Sequence, residues 1–350
     1  MSETTRSTRE ECLERLRRDQ RIIEPGLRCE VGPFRPGDEE GVSRLYFEIY
    51  GENFPVDYVY DPEQVKATNA GDGLHQVVAR TERGDVVGLT ALFPVAPNPR
   101  LMENGSLMLH PDYRGGKLGL MLLKTLLTDA DKRYGIDAGF GQSVCDHLIT
   151  QKYGKKLGWL PWALEVEAMP ARPDHAAFGS PGGRISLLNQ FLIYQDTPHG
   201  VHLPRRHQDF MKELYVSLEM EREFPPPAPL SGRSEWNISH MENAGLTRVA
   251  FSRLGEDLDP VLDGLPVRPG DHCLQLLLPL VDPGTSEAVD IAARRGFFLG
   301  GVLPLWTGAD VLLLQRLAKR PDFEAVQLLT DRAKDILEAV RSDWEAVTGR

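Results

Sequence analysis

The chain has 350 residues, 41% hydrophobic and 26% charged, and its 40 basic and 51 acidic side chains leave a formal charge of −11. That length allows two domains with appendages, and that apolar fraction supports a real core, which excludes global disorder, a collagen-like rod and a coiled-coil rod. An acidic balance gives no general attraction to polyphosphate, so a nucleotide or nucleic-acid partner would need a local basic patch.

No run approaches the roughly 20 apolar residues of a membrane span, and Met1 to Arg9 lacks the apolar centre of a secretion signal. The expectation is a cytoplasmic protein with no membrane partner. Cys12, Cys29, Cys145 and Cys273 show no CxxC or CxxH spacing, which predicts reduced thiols and no metal site.

In chain order, Ser7 and Glu10 form a capping-box pattern, and Leu13, Leu16 and Ile22 recur at helical spacing, predicting a helix over 7–22 that Pro25 stops. A strand over 28–34 and a helix over 38–50 follow. His75 to Thr81 and Val86 to Val95 flank the polar turn Glu82-Arg83-Gly84-Asp85 and should pair as a hairpin, with Leu101 to His110 the next strand. Pro173, Gly179, Pro181, Gly182 and Gly183 mark a linker leading into the apolar segment Ile185 to Tyr194. After a helix near 205–222 come strands near 236–242 and 246–252, then strand, helix, strand, strand over 273–281, 286–295, 297–305 and 310–317. Leu329, Ala333, Ile336, Val340 and Trp344 share one face of a final helix over 322–347, which should dock on a domain or on a second subunit. The expected organisation is an N-terminal helix (1–26), a first α/β domain (27–170), a linker (171–204), a second α/β unit (205–320) and a C-terminal helix (321–350), as a monomer or homodimer.

The segment 105–123 carries the chemistry: a strand, a glycine-bearing turn, then a helix. Gly115, Gly116 and Gly119 let the backbone curl and expose amides, and the helix opening near Lys117 turns its positive dipole end to the same spot, which suits a pyrophosphate. Arg114 and Lys117 add charge at the rim. The alternative is a plain strand-to-helix turn.

His110-Pro-Asp-Tyr-Arg with the glycines that follow resembles the acyl-CoA loop of the GNAT superfamily of N-acetyltransferases, whose pattern is Arg/Gln-x-x-Gly-x-Gly/Ala after a strand. Arg114 and Gly119 match the ends of the pattern, while Lys117 stands where glycine is usual and Gly116 comes one place early. The resemblance runs on through the helix to about Tyr134, the strand 136–144 and Lys156-Leu-Gly-Trp, which matches the family's KLGF. It covers about 140 residues. It implies an α/β (α+β) fold with a mixed, mostly antiparallel sheet flanked by helices, and a donor site for acetyl-CoA or another acyl-CoA at Leu107, Leu109, Arg114, Gly115, Gly116, Lys117, Leu118 and Gly119, with no metal.

The resemblance also implies direct attack by an acceptor amine, with one base, an acid in some members and a held oxyanion. Glu103, eleven residues before Arg114, is the base candidate or else a solvated strand-end carboxylate. Tyr153 is the acid candidate, although it lies five residues before Gly158 where the family's tyrosine lies four, so it either protonates the thiolate or packs in the core. His147 is either a base or substrate ligand, or a helix-capping histidine. A Cys145–His147 nucleophile pair is the rival that implies covalent transfer. Tyr50, Phe54, Asp57 and Tyr58 fall in the loop that usually covers the acceptor in this family; aromatic packing explains them nearly as well.

Gly296-Phe-Phe-Leu-Gly-Gly-Val-Leu-Pro and Asp310 to Leu317 resemble the last third of a GNAT domain without its pyrophosphate loop, so the resemblance implies two GNAT-like domains in tandem, the second degenerate. The functional expectation is an N-acyltransferase acting on a small-molecule amine. An aminoacyl-tRNA or acyl-carrier-protein donor is the close rival, prompted by Lys117 and by the clusters Arg17-Arg18, Lys155-Lys156 and Arg205-Arg206-His207. A non-catalytic acyl-CoA sensor is the rival from another class.

Overall fold

A computed structural model describes residues 8–19, 21–54, 56–171, 183–218 and 220–349. The chain divides into two compact units, Met1–Val95 with Met102–Ile136, and Ala96–Leu101 with Asp137–Arg350. The division falls inside the 27–170 segment read from sequence as one domain.

The first unit carries α1 (Arg9–Arg18), β1 (Cys29–Pro33), α2 (Glu39–Tyr50), α3 (Pro62–Asn69), β2 (His75–Thr81), β3 (Val86–Pro94), β4 (Leu101–Leu109), α4 (Leu118–Leu127) and α5 (Ala130–Tyr134). Its strands pair antiparallel in the order β1-β2-β3-β4. The expected hairpin is present, with Gly84 at φ 85° supplying the turn. Neighbouring residues of β3 face opposite ways: Leu89 joins the core of α1, α2 and α3, whereas Gly88 lies against Leu109 and Leu122 of α4. Helices therefore cover both faces of the sheet. Buried Arg80 donates to the Asp38 carboxylate and to Pro33 O at 2.7 Å, tying β2 to the start of α2. The first helix is capped one residue later than the sequence suggested: Thr8 Oγ1 accepts from the Glu11 amide at 3.3 Å and Glu11 Oε2 accepts from the Thr8 amide at 2.7 Å. It stops at Arg18, where Asp19 turns extended. Ser7 of the expected cap lies outside the described residues.

The second unit carries β5 (Ala138–Val144), α6 (Ile149–Lys156), β6 (Leu160–Met169), β7 (Ile185–Ile193), β8 (His199–Gly200), α7 (Gln208–Val216), β9 (Arg222–Glu223), β10 (Glu235–Met241), β11 (Leu246–Arg253), α8 (Leu258–Asp263), β12 (Cys273–Pro279), α9 (Thr285–Ala293), β13 (Phe298–Leu303), β14 (Val311–Leu317) and α10 (Asp331–Thr348). Its main sheet runs β5-β7-β6-β13-β14-β12-β11-β10, antiparallel except for the parallel pair β11 and β12. The expected linker is corrected here. Residues 172–182 of it lie outside the described residues, but Ile185–Ile193 is a strand between β5 and β6, buried along Ile185 to Phe191. A strand covered on both faces has a nearly continuous apolar sequence, so alternation gives no signal for it.

Two stretches of this unit repeat one plan. In β5-α6-β6-β7 and in β12-α9-β13-β14 the last strand lies between the first two. Each helix is followed by a left-handed glycine, Gly158 at φ 80° and Gly296 at φ 79°. Each second strand then slips register, at Pro161/Ala163 and at Leu299/Gly301. Ala163 and Gly301, each five residues past its glycine, pair with one another across the β6–β13 seam. The final helix packs across β6 and β13 with Ala333, Ile336, Val340 and Trp344 buried, so within the chain it docks on its own unit. Leu329 precedes it and donates its amide to Gln151 Oε1 at 3.0 Å.

Candidate active site

After β4, a single 3₁₀ turn at Pro111–Tyr113 brings the chain to Arg114, and Gly115 turns it left-handed at φ 82° before α4 begins. Arg114 Nε donates back to Leu109 O at 3.1 Å, which closes the loop on the strand that leads into it. Among the described residues no side chain caps α4, and its first turn holds no acid. The amides of that turn have no partner within the helix, so they and the dipole offer donors to an anion. A Cβ at Gly116 meets no atom within 4 Å, so the loop is open on that side. Lys117 stands at the helix N-cap, Leu118 and Gly119 begin the helix, and Gly119 is buried. Leu107 and Leu109 are half-buried at the end of β4.

The strand before the loop is irregular. Between the pairs Leu89↔Met108 and Ala91↔Gly105, β4 holds one residue more than β3, and Ser106 has φ 53°. A bulge leaves its extra residue out of the ladder, and so supplies a backbone donor that the sheet does not use. Sequence reasoning missed it, because nothing in Gly-Ser-Leu-Met distinguishes a bulged strand from a regular one.

Beside the bulge lies a cavity of about 260 Å³ lined by Tyr46, Phe54, Val56, Tyr58, Thr68, Gly73, Leu74, Ala91, Phe93 and Ser106. Of the four expected acceptor residues, Phe54 and Tyr58 line it. Tyr50 is not among the lining residues; it stacks on Tyr46 and meets Phe54 at a tilt, with centroids 6.4 and 5.0 Å away. Asp57 is exposed and ion-paired with Arg9, whose guanidinium also donates to Glu52 O at 2.7 Å and Phe54 O at 3.0 Å. The loop is further pinned by buried Tyr60, whose hydroxyl donates to Gly51 O at 2.8 Å and accepts from the Phe54 amide at 2.9 Å. Burial pushes the Tyr46 and Tyr58 phenols above their ordinary range, so both stay neutral hydroxyls. Tyr46, Ala91, Phe93 and Ser106 were not singled out from sequence; only Tyr46 left a trace there, at the four-residue spacing to Tyr50.

Glu103 stands on β4 opposite Phe93 and is half-buried. A Cβ on Gly105 would come within 2.7 Å of the Phe93 ring and 3.4 Å of Glu103 Oε1. The carboxylate and the ring thus both abut Gly105, and glycine there is what lets them converge at the cavity's edge.

His147 and Tyr153 belong to the second unit. His147 is buried at the start of α6, where Nδ1 accepts from the Ile149 amide at 3.3 Å and Nε2 lies 3.9 Å from Asp146 Oδ1. That is a capping geometry. Cys145 is fully buried, burial pushes its thiol far up, and Sγ faces Ser143 O at 3.7 Å. A thiolate nucleophile is disfavoured there, which overturns the Cys145–His147 pair. Tyr153 is half-buried on α6.

Residues 40–159 match the model of the acetyltransferase (GNAT) family, about a third of the chain. That segment is GNAT-like. None of the curated protein sequences matches the chain. Similar solved structures include a spermidine N-acetyltransferase from Vibrio cholerae in complex with CoA and spermine, at 13% identity and a TM-score of 0.37 over 47% of this chain and 95% of that one. The ribosomal-protein-S18-alanine N-acetyltransferase from Escherichia coli is 17% identical over 49% and 96%, with a TM-score of 0.37. The ribosomal-protein-S5-alanine acetyltransferase from Vibrio fischeri is 10% identical over 50% and 96%, with a TM-score of 0.39. No helix among the described residues is long and apolar enough to cross a membrane.

Proposed function

We propose that this chain is an N-acyltransferase that moves an acyl group from coenzyme A to an amine by direct attack in a ternary complex. The observation that carries the reading is the conjunction, on one short stretch of chain, of Glu103 at a cavity edge, a bulge at Ser106 and an open, uncapped helix start behind Gly115 and Gly116. The match of residues 40–159 to the family model supports it. The α4 amides, with Arg114 and Lys117, would hold the pyrophosphate of the donor. Glu103 takes the proton of the acceptor ammonium. The nitrogen lone pair attacks the thioester carbonyl carbon, the C–N bond forms, and bulge amides near Ser106 and Leu107 stabilise the oxyanion. Collapse breaks the C–S bond, the nitrogen gives up its second proton to water, and the departing thiolate is protonated from solvent. His147 serves the start of α6. The repeated strand-helix-strand-strand plan supports reading the second half as a degenerate copy of the first, without a donor loop.

Coenzyme A is favoured over tRNA as the carrier because part of the basic surface that prompted the tRNA reading is paired with acids. Arg17 pairs with Glu10 and Glu52, Arg18 with Glu14, and Arg206 with Asp343. The test is acyl transfer from acetyl-CoA to a panel of primary amines, followed as thiol release. Glu103→Gln should lose roughly 10²-fold or more in kcat, and the pH profile should lose its acidic limb while acetyl-CoA affinity stays unchanged. Full activity in this variant would refute the assignment of the base.

A further inference from the structure

The cavity wall is mostly aromatic and aliphatic, and no charged side chain is among its described lining residues. One of its polar groups is already engaged within the protein, Thr68 Oγ1 donating to Gln64 O at 2.8 Å. Tyr46, Tyr58 and Ser106 add neutral hydroxyls. An occupant therefore finds about 260 Å³ of mostly apolar space with a few neutral hydroxyls and no countercharge, and a charged group placed there would lose its water without an opposite charge to compensate. The carboxylate of Glu103 stands at the edge, behind Gly105 and Phe93, and not in the wall. A ligand that puts one amine at Glu103 and turns an uncharged apolar body onto Phe93, Phe54 and Tyr46 satisfies both ends.

We infer that the acceptor is a monoamine carrying a single aromatic or branched aliphatic group, and that the cavity selects it against polyamines. This rests on the acyl-transfer reading of the same site, since Glu103 is taken as the group that meets the amine. A polyamine reaching Glu103 with one nitrogen would have to leave another charge on this apolar wall or turn it away to solvent, and either course forfeits the cavity's contact area.

The test is calorimetric titration of the whole chain, free and with coenzyme A, using phenethylamine, isoamylamine, putrescine and spermidine as probes. Coenzyme A binding is read first, and its absence refutes the transferase reading alone, because the amines are also titrated into the free protein. The apolar monoamines should bind at least 10-fold more tightly than the polyamines. Two variants localise the effect. A Cβ at Gly73 meets no atom within 4 Å and the backbone there is not at positive φ, so Gly73→Phe should fold and should weaken phenethylamine at least 10-fold. Val56→Glu, at an exposed lining position, should reverse the preference toward putrescine. Equal or tighter binding of polyamines, binding of no amine, or unchanged phenethylamine affinity in both variants would overturn the inference. Titration with phenylacetyl-CoA supplies the last arm: if Gly73→Phe weakens it at least 10-fold and spares phenethylamine, the cavity holds the acyl group and the assignment to the acceptor falls.

Discussion

Gly116→Glu tests the donor loop most directly, because the structure separates its effect on binding from its effect on folding. The Gly116 backbone does not have positive φ, and a Cβ there meets no atom within 4 Å. The variant should unfold within about 0.5 kcal/mol of the parent, as exposed substitutions without strain do. In the bound state its carboxylate would stand roughly 5 Å from a diphosphate charge. At an effective dielectric of about 20 that repulsion is about 3 kcal/mol, and physiological salt lowers it to about 2. Coenzyme A should therefore bind roughly 30- to 150-fold more weakly. Gly116→Gln, with the same shape and no charge, should lose less than about 5-fold, and raising the salt should narrow the gap between the two variants. The neighbouring position behaves differently: Gly115 is at φ 82°, so Gly115→Ala should cost about 1–2 kcal/mol in stability before any ligand is added. Calorimetry at two salt concentrations, with denaturant unfolding of each variant, reads all of these. Unchanged affinity in a folded Gly116→Glu protein would remove the pyrophosphate from this loop.

Gly301→Ala should destabilise by about 3 kcal/mol or more, since Gly301 has φ 128° and a Cβ there lies 2.5 Å from Trp162 O and 2.6 Å from Ala163 Cα. A urea midpoint near that of the parent would contradict the close β6–β13 approach. Burial alone would raise the Asp310 pKa, but hydrogen bonds from His199 and Arg222 outweigh it and hold the carboxyl below its ordinary 3.8. Its folded pKa is thus the lower one, so the stabilisation is present above that ordinary value and is lost as pH falls through the folded one. Asp310→Asn, which leaves buried Arg222 short of a partner, should cost about 3–5 kcal/mol near neutral pH. The gap to the parent should shrink once the pH drops below 3.8; a gap that does not change with pH would refute the linkage.

Local signals in the sequence carried far. The hairpin of β2 and β3 is set by alternating apolar runs around a glycine turn, and its edges fall within a residue of expectation. The glycine loop before α4 is local too, since strand, turn glycines and helix start are consecutive in the chain and their amides converge whatever the rest of the molecule does. Of the second-unit elements from β10 to β14, all but α8 were likewise read from the sequence. Where a signal was short, the register slipped: Ser7 with Glu10 and Thr8 with Glu11 both fit a capping box, and only the described helix start shows that the second is used.

What the sequence determined about this protein is therefore what neighbouring residues decide among themselves: the elements with strong local signals, the glycine turn that opens α4, and a glutamate and a group of aromatic residues close to it in the chain. Tertiary structure decided the rest. Whether Ile185–Ile193 was linker or central strand depended on partners as distant as Ala138 and Leu160. The bulge at Ser106 exists because β4 must keep register with β3, a constraint written in the pairing of two strands and not in either alone. The cavity gathers Tyr46 from α2, Thr68 from α3, Ala91 and Phe93 from β3 and Ser106 from β4, residues that no spacing connects. Cys145 and His147, adjacent enough to suggest a nucleophile and its base, were separated by burial and by a helix cap, because chemistry depends on exposure and orientation, which sequence proximity does not encode.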